Sequence, residues 1–177
     1  STPYDAKGLL RAAVYDDNPV MFIDDRWLYN IKGEVPERRY SVPIGKGRIR
    51  RKGKDVTIVA TSYLVQEALR AANILAKKGV SAEVIDPLSI KPLDESLILN
   101  SVGRTRAMIV ADGGWRSFGA AAEIMARIAE NKEIMSMKAP IRRVTLPDSP
   151  APASRMLEKK YFKNAEDIVR ETLKVVR

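Results

Sequence analysis

The sequence predicts an α/β fold of three layers, a mostly parallel sheet held between two layers of helices. Two observations carry that expectation. From Asp55 onward, short apolar runs rich in β-branched residues alternate with segments of helical periodicity, a pattern that builds parallel sheets covered on both faces. The chain also has 45% hydrophobic residues among its 177, enough to bury the core of one domain with a short appendage.

The elements follow in order. Pro3 suits a first helical turn, and Leu9, Leu10, Ala13 and Val14 recur at helical spacing, so residues 3–16 read as a helix. Asp16-Asp17-Asn18-Pro19 breaks it, and Val20-Met21-Phe22-Ile23 reads as a short buried strand. This helix and strand look like the end of a second α/β unit, which either docks on the main domain or marks the chain as a fragment. From Asp24 to about Lys54 no regular pattern emerges across Gly33, Pro36, Pro43, Gly45, Gly47 and Gly53. So long a stretch without elements is unusual inside a compact domain, and it reads as an inter-domain connector.

Regularity begins with the strand Val56–Ala60. Thr61-Ser62 is a helix-cap candidate ahead of a helix over 63–78, whose apolar face holds Val65, Ala68, Leu69, Ala72, Leu75 and Ala76 before Gly79 stops it. Next come the strand Ala82–Ile85, a turn at Asp86-Pro87 and a helix over 94–102. The strand Ala107–Ala111 and a helix over 118–130 form another unit. Ile141–Thr145 is a fourth strand, and a loop with Pro147, Pro150 and Pro152 leads to a final helix near 165–175. The right-handed crossover rule leaves few ways to connect them.

Two absences limit the chemistry. Without cysteine there are no disulfides, thiolate nucleophiles or cysteine-ligated zinc. Without histidine the commonest general base and the usual metal ligand are gone, and serine–histidine catalysis is impossible within this chain. No apolar run approaches the roughly 20 residues that span a membrane, and Ser1-Thr2-Pro3-Tyr4-Asp5 does not resemble a secretory signal. The net charge of +9 points toward anionic partners, and much of it lies between Lys46 and Lys54. That run reads either as a solvated connector or as a phosphate contact. Aromatics do not interleave it, so it offers no stacking platform for single strands.

The most distinctive motif is Asp112-Gly113-Gly114-Trp115-Arg116-Ser117-Phe118-Gly119, running into Ala120-Ala121-Ala122-Glu123. Its spacing fits neither the G-x-G-x-x-G fingerprint nor the G-x-x-x-x-G-K-[ST] phosphate loop. A packing or interface turn is the better reading, and the small residues Gly119, Ala120, Ala122 and Ala126 permit close approach of another backbone. Asp86 and Asp112 each close a predicted strand, where ligands of open parallel sheets bind. They read either as an acid/base pair or as caps of the turns that follow. Turn chemistry also accounts for Asp148.

Six segments in order carry a resemblance. They are "DAKGLLRAAVYDDNPVMFID", "GEVPE", the long run from "YSVPIGKGRIRRKGKDVTIVATSYLVQEALRAANILAKKGVSAEVIDPLSIKPLD", "DGGWRSFGAAAEIMARI", "RRVTLPDSPAPAS" and "AEDIVRETLK". Together, from Pro3 to Val175, the chain resembles the beta subunit of the thiamine diphosphate-dependent 2-oxoacid dehydrogenases, pyruvate dehydrogenase above all. The resemblance implies a transketolase-like C-terminal domain over 53–177, after a connector over 31–52 and the end of a pyrimidine-binding domain over 1–30. It implies thiamine diphosphate and magnesium in the complete enzyme and none on this chain alone. The glutamate that activates the cofactor belongs to a part of the family preceding Ser1, so no catalytic residue carries over.

The resemblance further implies that Gly114, Trp115, Phe118 and Gly119 lie at a subunit interface. A homodimer, an alpha subunit and a dihydrolipoyl acyltransferase core are the expected partners, with neither membrane nor nucleic acid among them. Some members of the family bind a structural monovalent cation at a helix end before an Asn-Pro turn, and the matching positions are Ala13, Val14, Asp16 and Asn18. Unsatisfied carbonyls at a helix C-terminus could serve it, and an ordinary helix stop accounts for the same residues. The expected location is the cytoplasm, or the mitochondrial matrix in a eukaryote. Two alternatives stay open: half of a transketolase-type carbon–carbon transferase, and a basic α/β module that binds nucleic acid.

Overall fold

The computed structural model describes residues 1–132 and 136–176. Its centre is a five-stranded sheet in the order β1-β3-β2-β4-β5. The strands are β1 (Arg48–Arg51), β2 (Val56–Ala60), β3 (Ala82–Asp86), β4 (Met108–Trp115) and β5 (Arg142–Leu146). β2, β3, β4 and β5 run parallel, and β1 alone is antiparallel, against β3. Every residue of β2 and β3 is buried, as continuous apolar runs in a parallel sheet require.

Helices cover both faces. On one side α2 (Leu64–Ala76) and α6 (Ala165–Thr172) bury Val65, Leu75 and Ile168 against Ile58 and Ile109. On the other, α3 (Glu95–Thr105) and α4 (Ala120–Ala129) bury Ile98, Val102, Ile124 and Ile128 against Val59, Ile85 and Val110. Each such side chain contributes about 1.5–3 kcal/mol by leaving water. The three-layer expectation is thereby met. One buried carboxylate joins two helices of the first layer: Glu67 of α2 accepts the Ala165 amide at 2.9 Å, at the start of α6. A negative charge there complements the helix dipole.

The sequence misread four places. Val20–Ile23 is not a strand; Met21 and Ile23 are more than 80% exposed. An apolar run without a hydrogen-bonding neighbour cannot hold a strand, whatever its propensity. The supposed connector contains a short 3₁₀ turn, Arg26–Leu28, and all of β1. The loop after β5 contains a further helix, α5 (Arg155–Tyr161). Thr61-Ser62 does not cap α2 through a side chain; the Ser62 hydroxyl donates instead to Asp25 at 2.7 Å.

α1 (Pro3–Val14) docks on the main body rather than standing apart. The Val42 amide donates to the Gly8 carbonyl at 3.0 Å, and Tyr4 stacks on Tyr40 with centroids 4.4 Å apart. Asp5 is fully buried and pairs with Arg50, which also reaches Asp86 at 2.8 Å. The basic run is thus no free solvated tract, because its two central arginines answer carboxylates: Arg48 also lies 3.6 Å from Asp5.

Candidate functional site

β4 and the loop behind it build the most unusual surface. Met108 to Asp112 are buried, and the strand then emerges through Gly113, Gly114 and Trp115. Ala111 pairs with Val144 but Trp115 pairs with Leu146. β4 therefore advances four residues while β5 advances two, and the surplus at Asp112–Gly114 bulges. A bulge re-aims the side chains beyond it, and here it turns Trp115 outward, 56% exposed. Gly119 has its own requirement: a Cβ there would stand 2.4 Å from the Trp115 carbonyl oxygen. The segment expected as a simple strand-to-helix turn is therefore half strand and half loop.

Hydrogen bonds hold this loop rigid. Asp148 accepts the Ser117 amide and hydroxyl, each at 2.8 Å, and those bonds hold its pKa below the ordinary carboxylate range. Arg143 donates to the Arg116 carbonyl at 2.8 Å. The Trp115 indole donates to the Tyr161 hydroxyl at 3.2 Å, and that hydroxyl donates to the Ser149 carbonyl at 2.7 Å. Phe118 has φ of 57° and is entirely exposed. Gly114, Trp115, Phe118 and Gly119 thus lie together on one braced loop, with two aromatic side chains facing solvent. The roles of Asp148 and Tyr161 in bracing it escaped the sequence, where each stood in a proline-flanked or irregular context.

Asp86 and Asp112 do not form a pair. Asp86 ends β3 and Asp112 lies within β4, three residues before its end, with β2 between the two strands, and each has separate partners. Asp86 takes Arg50 and the Leu88 amide at 3.1 Å. Asp112 accepts the Thr61 hydroxyl at 2.7 Å and the Ala121 amide at 3.3 Å. The capping reading holds for Asp86, whose carboxylate takes the Leu88 amide of the turn after it; Asp112 caps no following turn and instead ties β2 to the first turn of α4.

A small crevice of about 150 Å³ opens at the carboxyl ends of β2 and β4. There α2 leaves for one face of the sheet and α4 for the other, the switch point where open α/β sheets bind ligands. Thr61, Ser62 and Gly113 line it, and the ring of Trp27 leans over it against Tyr63 and Phe162, with centroids 5.1 and 5.2 Å away. Its carboxylate, Asp25, is already taken by Ser62 and the Trp27 amide. Hydroxyls and rings suit binding rather than proton transfer. Among the described residues, no group of three or more acidic, histidine or cysteine side chains could hold a metal.

Ala13, Val14, Asp16 and Asn18 lie at the exposed end of α1. The Asp16 amide donates to the Ala13 carbonyl at 3.4 Å. Asp16 Oδ1 accepts both nitrogens of Asn18, at 2.9 and 3.0 Å, which lowers its pKa. That is an ordinary helix stop in its hydrogen bonding.

Comparison with known proteins decides the family. Residues 45–168 match the transketolase C-terminal domain. The chain belongs to that family. It is 44% identical over 176 residues to the beta subunit of acetoin:2,6-dichlorophenolindophenol oxidoreductase of Bacillus subtilis (strain 168), covering 99% of this chain and 51% of that protein. It is 40% identical over 182 residues to the mitochondrial pyruvate dehydrogenase E1 component subunit beta of Drosophila melanogaster, covering 99% and 50%. The chain thus spans about half the length of these relatives. A solved split-gene transketolase, described as an inactive beta4 tetramer, superposes with a TM-score of 0.60 at 30% identity, over 77% of this chain and 45% of that one. The beta-subunit resemblance and the transketolase C-terminal fold are both upheld. No helix among the described residues is long and apolar enough to cross a membrane.

Proposed function

We propose that this transketolase C-terminal domain serves the beta subunit of a thiamine diphosphate-dependent 2-oxoacid dehydrogenase, with pyruvate as the 2-oxoacid. In the complete enzyme, thiamine diphosphate and magnesium supply the chemistry that cleaves the bond beside the carbonyl. This chain's own part is association, with a second copy, an alpha subunit and an acyltransferase core. Residues 1–30, as the end of a pyrimidine-binding domain, and a monovalent cation at the end of α1 belong to the same reading.

The braced loop carries it. Trp115 and Phe118 expose two large apolar side chains on a backbone that hydrogen bonds already fix. Exposed aromatics on a rigid frame lose little freedom on burial, which favours an interface. Trp115→Glu is expected to weaken self-association by about 30-fold or more, the effect of losing an aromatic anchor worth ~2 kcal/mol. Sedimentation velocity measures it, and a variant that remains dimeric at the wild-type concentration refutes the interface. Melting temperatures that match in potassium and in tetramethylammonium chloride would remove the cation.

A second reading has one observation in its favour: the acetoin relative is 44% identical where the pyruvate one is 40%. Turnover of acetoin but not pyruvate by the complete enzyme would select it.

A further inference from the structure

The outer side of β5 is an open edge of the sheet. β5 pairs with β4 alone, and among the described residues no backbone hydrogen bond reaches its other side. An unpaired edge is a template for another strand. Here the edge lines a groove of about 590 Å³ between α4 and α6, with Met125, Ile141 and Val144 as its apolar part.

The groove is strongly cationic. Arg116, Arg142, Arg143, Lys163, Arg170 and Lys174 line it, against only Asp167 and Glu171. Both carboxylates are occupied: Asp167 by Arg170 at 2.5 Å, and Glu171 by Lys174 at 2.6 Å and Arg142 at 3.3 Å. Arg143 spends one nitrogen on a neutral carbonyl. Lys163 makes no salt bridge among the described residues. Positive charge therefore exceeds what the chain itself can neutralise at this edge.

We propose that this groove takes an extended acidic peptide segment of a partner protein, added to β5 as a sixth strand. Main-chain hydrogen bonds along the edge would give affinity, and alternate side chains would give specificity. Side chains alternate along β5, so acidic residues on the α6 face of the segment would meet Arg142, Lys163, Arg170 and Lys174, and apolar ones on the α4 face would meet Met125 and Ile141. Nucleic acid fits less well, because no aromatic side chain lines the groove for base stacking. A second copy fits less well too. β5 against β5 would set Arg142 and Arg143 of one copy against those of the other, and like charges directly opposite destabilise a strand pair. The proposal does not depend on which enzyme the chain belongs to.

The test uses the full chain and a fluorescein-labelled decapeptide of alternating Glu and Val, followed by fluorescence anisotropy. Two further peptides carry N-methyl groups on every second amide, one in each register, keeping the charge but blocking one edge of the peptide. The acidic peptide is expected to bind, and one methylated register to bind at least tenfold more weakly. Lys163→Glu and Arg142→Gln are each expected to weaken it by a similar factor, and slowed amide exchange is expected within 142–146. Equal binding of both methylated peptides would reduce the groove to unspecific charge attraction and overturn the proposal. So would absence of binding, or displacement of the peptide by a single-stranded ten-nucleotide DNA that binds more tightly.

Discussion

The Thr61 hydroxyl donates to Asp112 Oδ1 across 2.7 Å, tying the carboxyl ends of β2 and β4 where the helices change sides. The second oxygen of the same carboxylate accepts the Ala121 amide in the first turn of α4. One largely buried side chain thus fixes two strands and a helix. Asp112→Ala leaves a hydroxyl and a helix amide without their charged acceptor, at a cost of about 2–3 kcal/mol. Urea unfolding measures it, and a wild-type midpoint for Asp112→Ala would show that the bond contributes nothing.

Asp5 gives stability a pH dependence. Burial pushes its pKa up, but the Thr2 hydroxyl and then Arg50 and Arg48 outweigh it and hold the carboxyl below its ordinary value, about 3.9. A carboxyl depressed in the folded state binds protons more tightly in the unfolded chain. Its contribution is therefore complete above the unfolded pKa and fades as pH falls through the folded one. Asp5→Asn is expected to lose about 3 kcal/mol at pH 7, as when one member of a buried ion pair is removed. The gap to wild type should narrow below about pH 4. Denaturant unfolding at a series of pH values tests this, and a gap that stays constant down to pH 2 contradicts it.

Gly53 and Gly103 make a matched pair. A Cβ on Gly53 would stand 2.2 Å from the Ala82 carbonyl carbon and the Glu83 nitrogen, which are backbone atoms that cannot swing away. A Cβ on Gly103, exposed on α3, meets nothing within 4 Å. Gly53→Ala is expected to cost about 3 kcal/mol, and Gly103→Ala to stabilise by up to ~1 kcal/mol as a helix interior gains alanine. Two melting curves decide it; similar shifts for both would mean that the Gly53 site relaxes freely.

Much of this fold was legible because buried parallel strands announce themselves. Val56–Ala60 and Ala82–Ile85 are apolar enough to read without their neighbours. β1 was not legible, since Arg48-Ile49-Arg50-Arg51 has the composition of a solvated tract. It becomes a strand only because β3 supplies the ladder and Asp5 and Asp86, distant in sequence, supply the counter-charges. Val20–Ile23 failed in the opposite sense, with strand composition and no ladder. At the candidate site, the glycines pointed to the loop and the two exposed aromatics. The bulge did not show, because it depends on how β4 and β5 align, and neither strand contains that information alone.

The docking of α1 has a consequence for proteases. Tyr15, Met21 and Ile23 stand out in the segment behind that helix, where backbone cleavage meets little hindrance. A single cut there would not set residues 1–14 adrift. The stacked tyrosines, the Gly8–Val42 bond and the buried Asp5 charge would keep the severed helix in place as a tightly held peptide. Nicked material should therefore migrate as one species in native gels and as two only after denaturation, and an excess of synthetic 1–14 peptide should exchange into it.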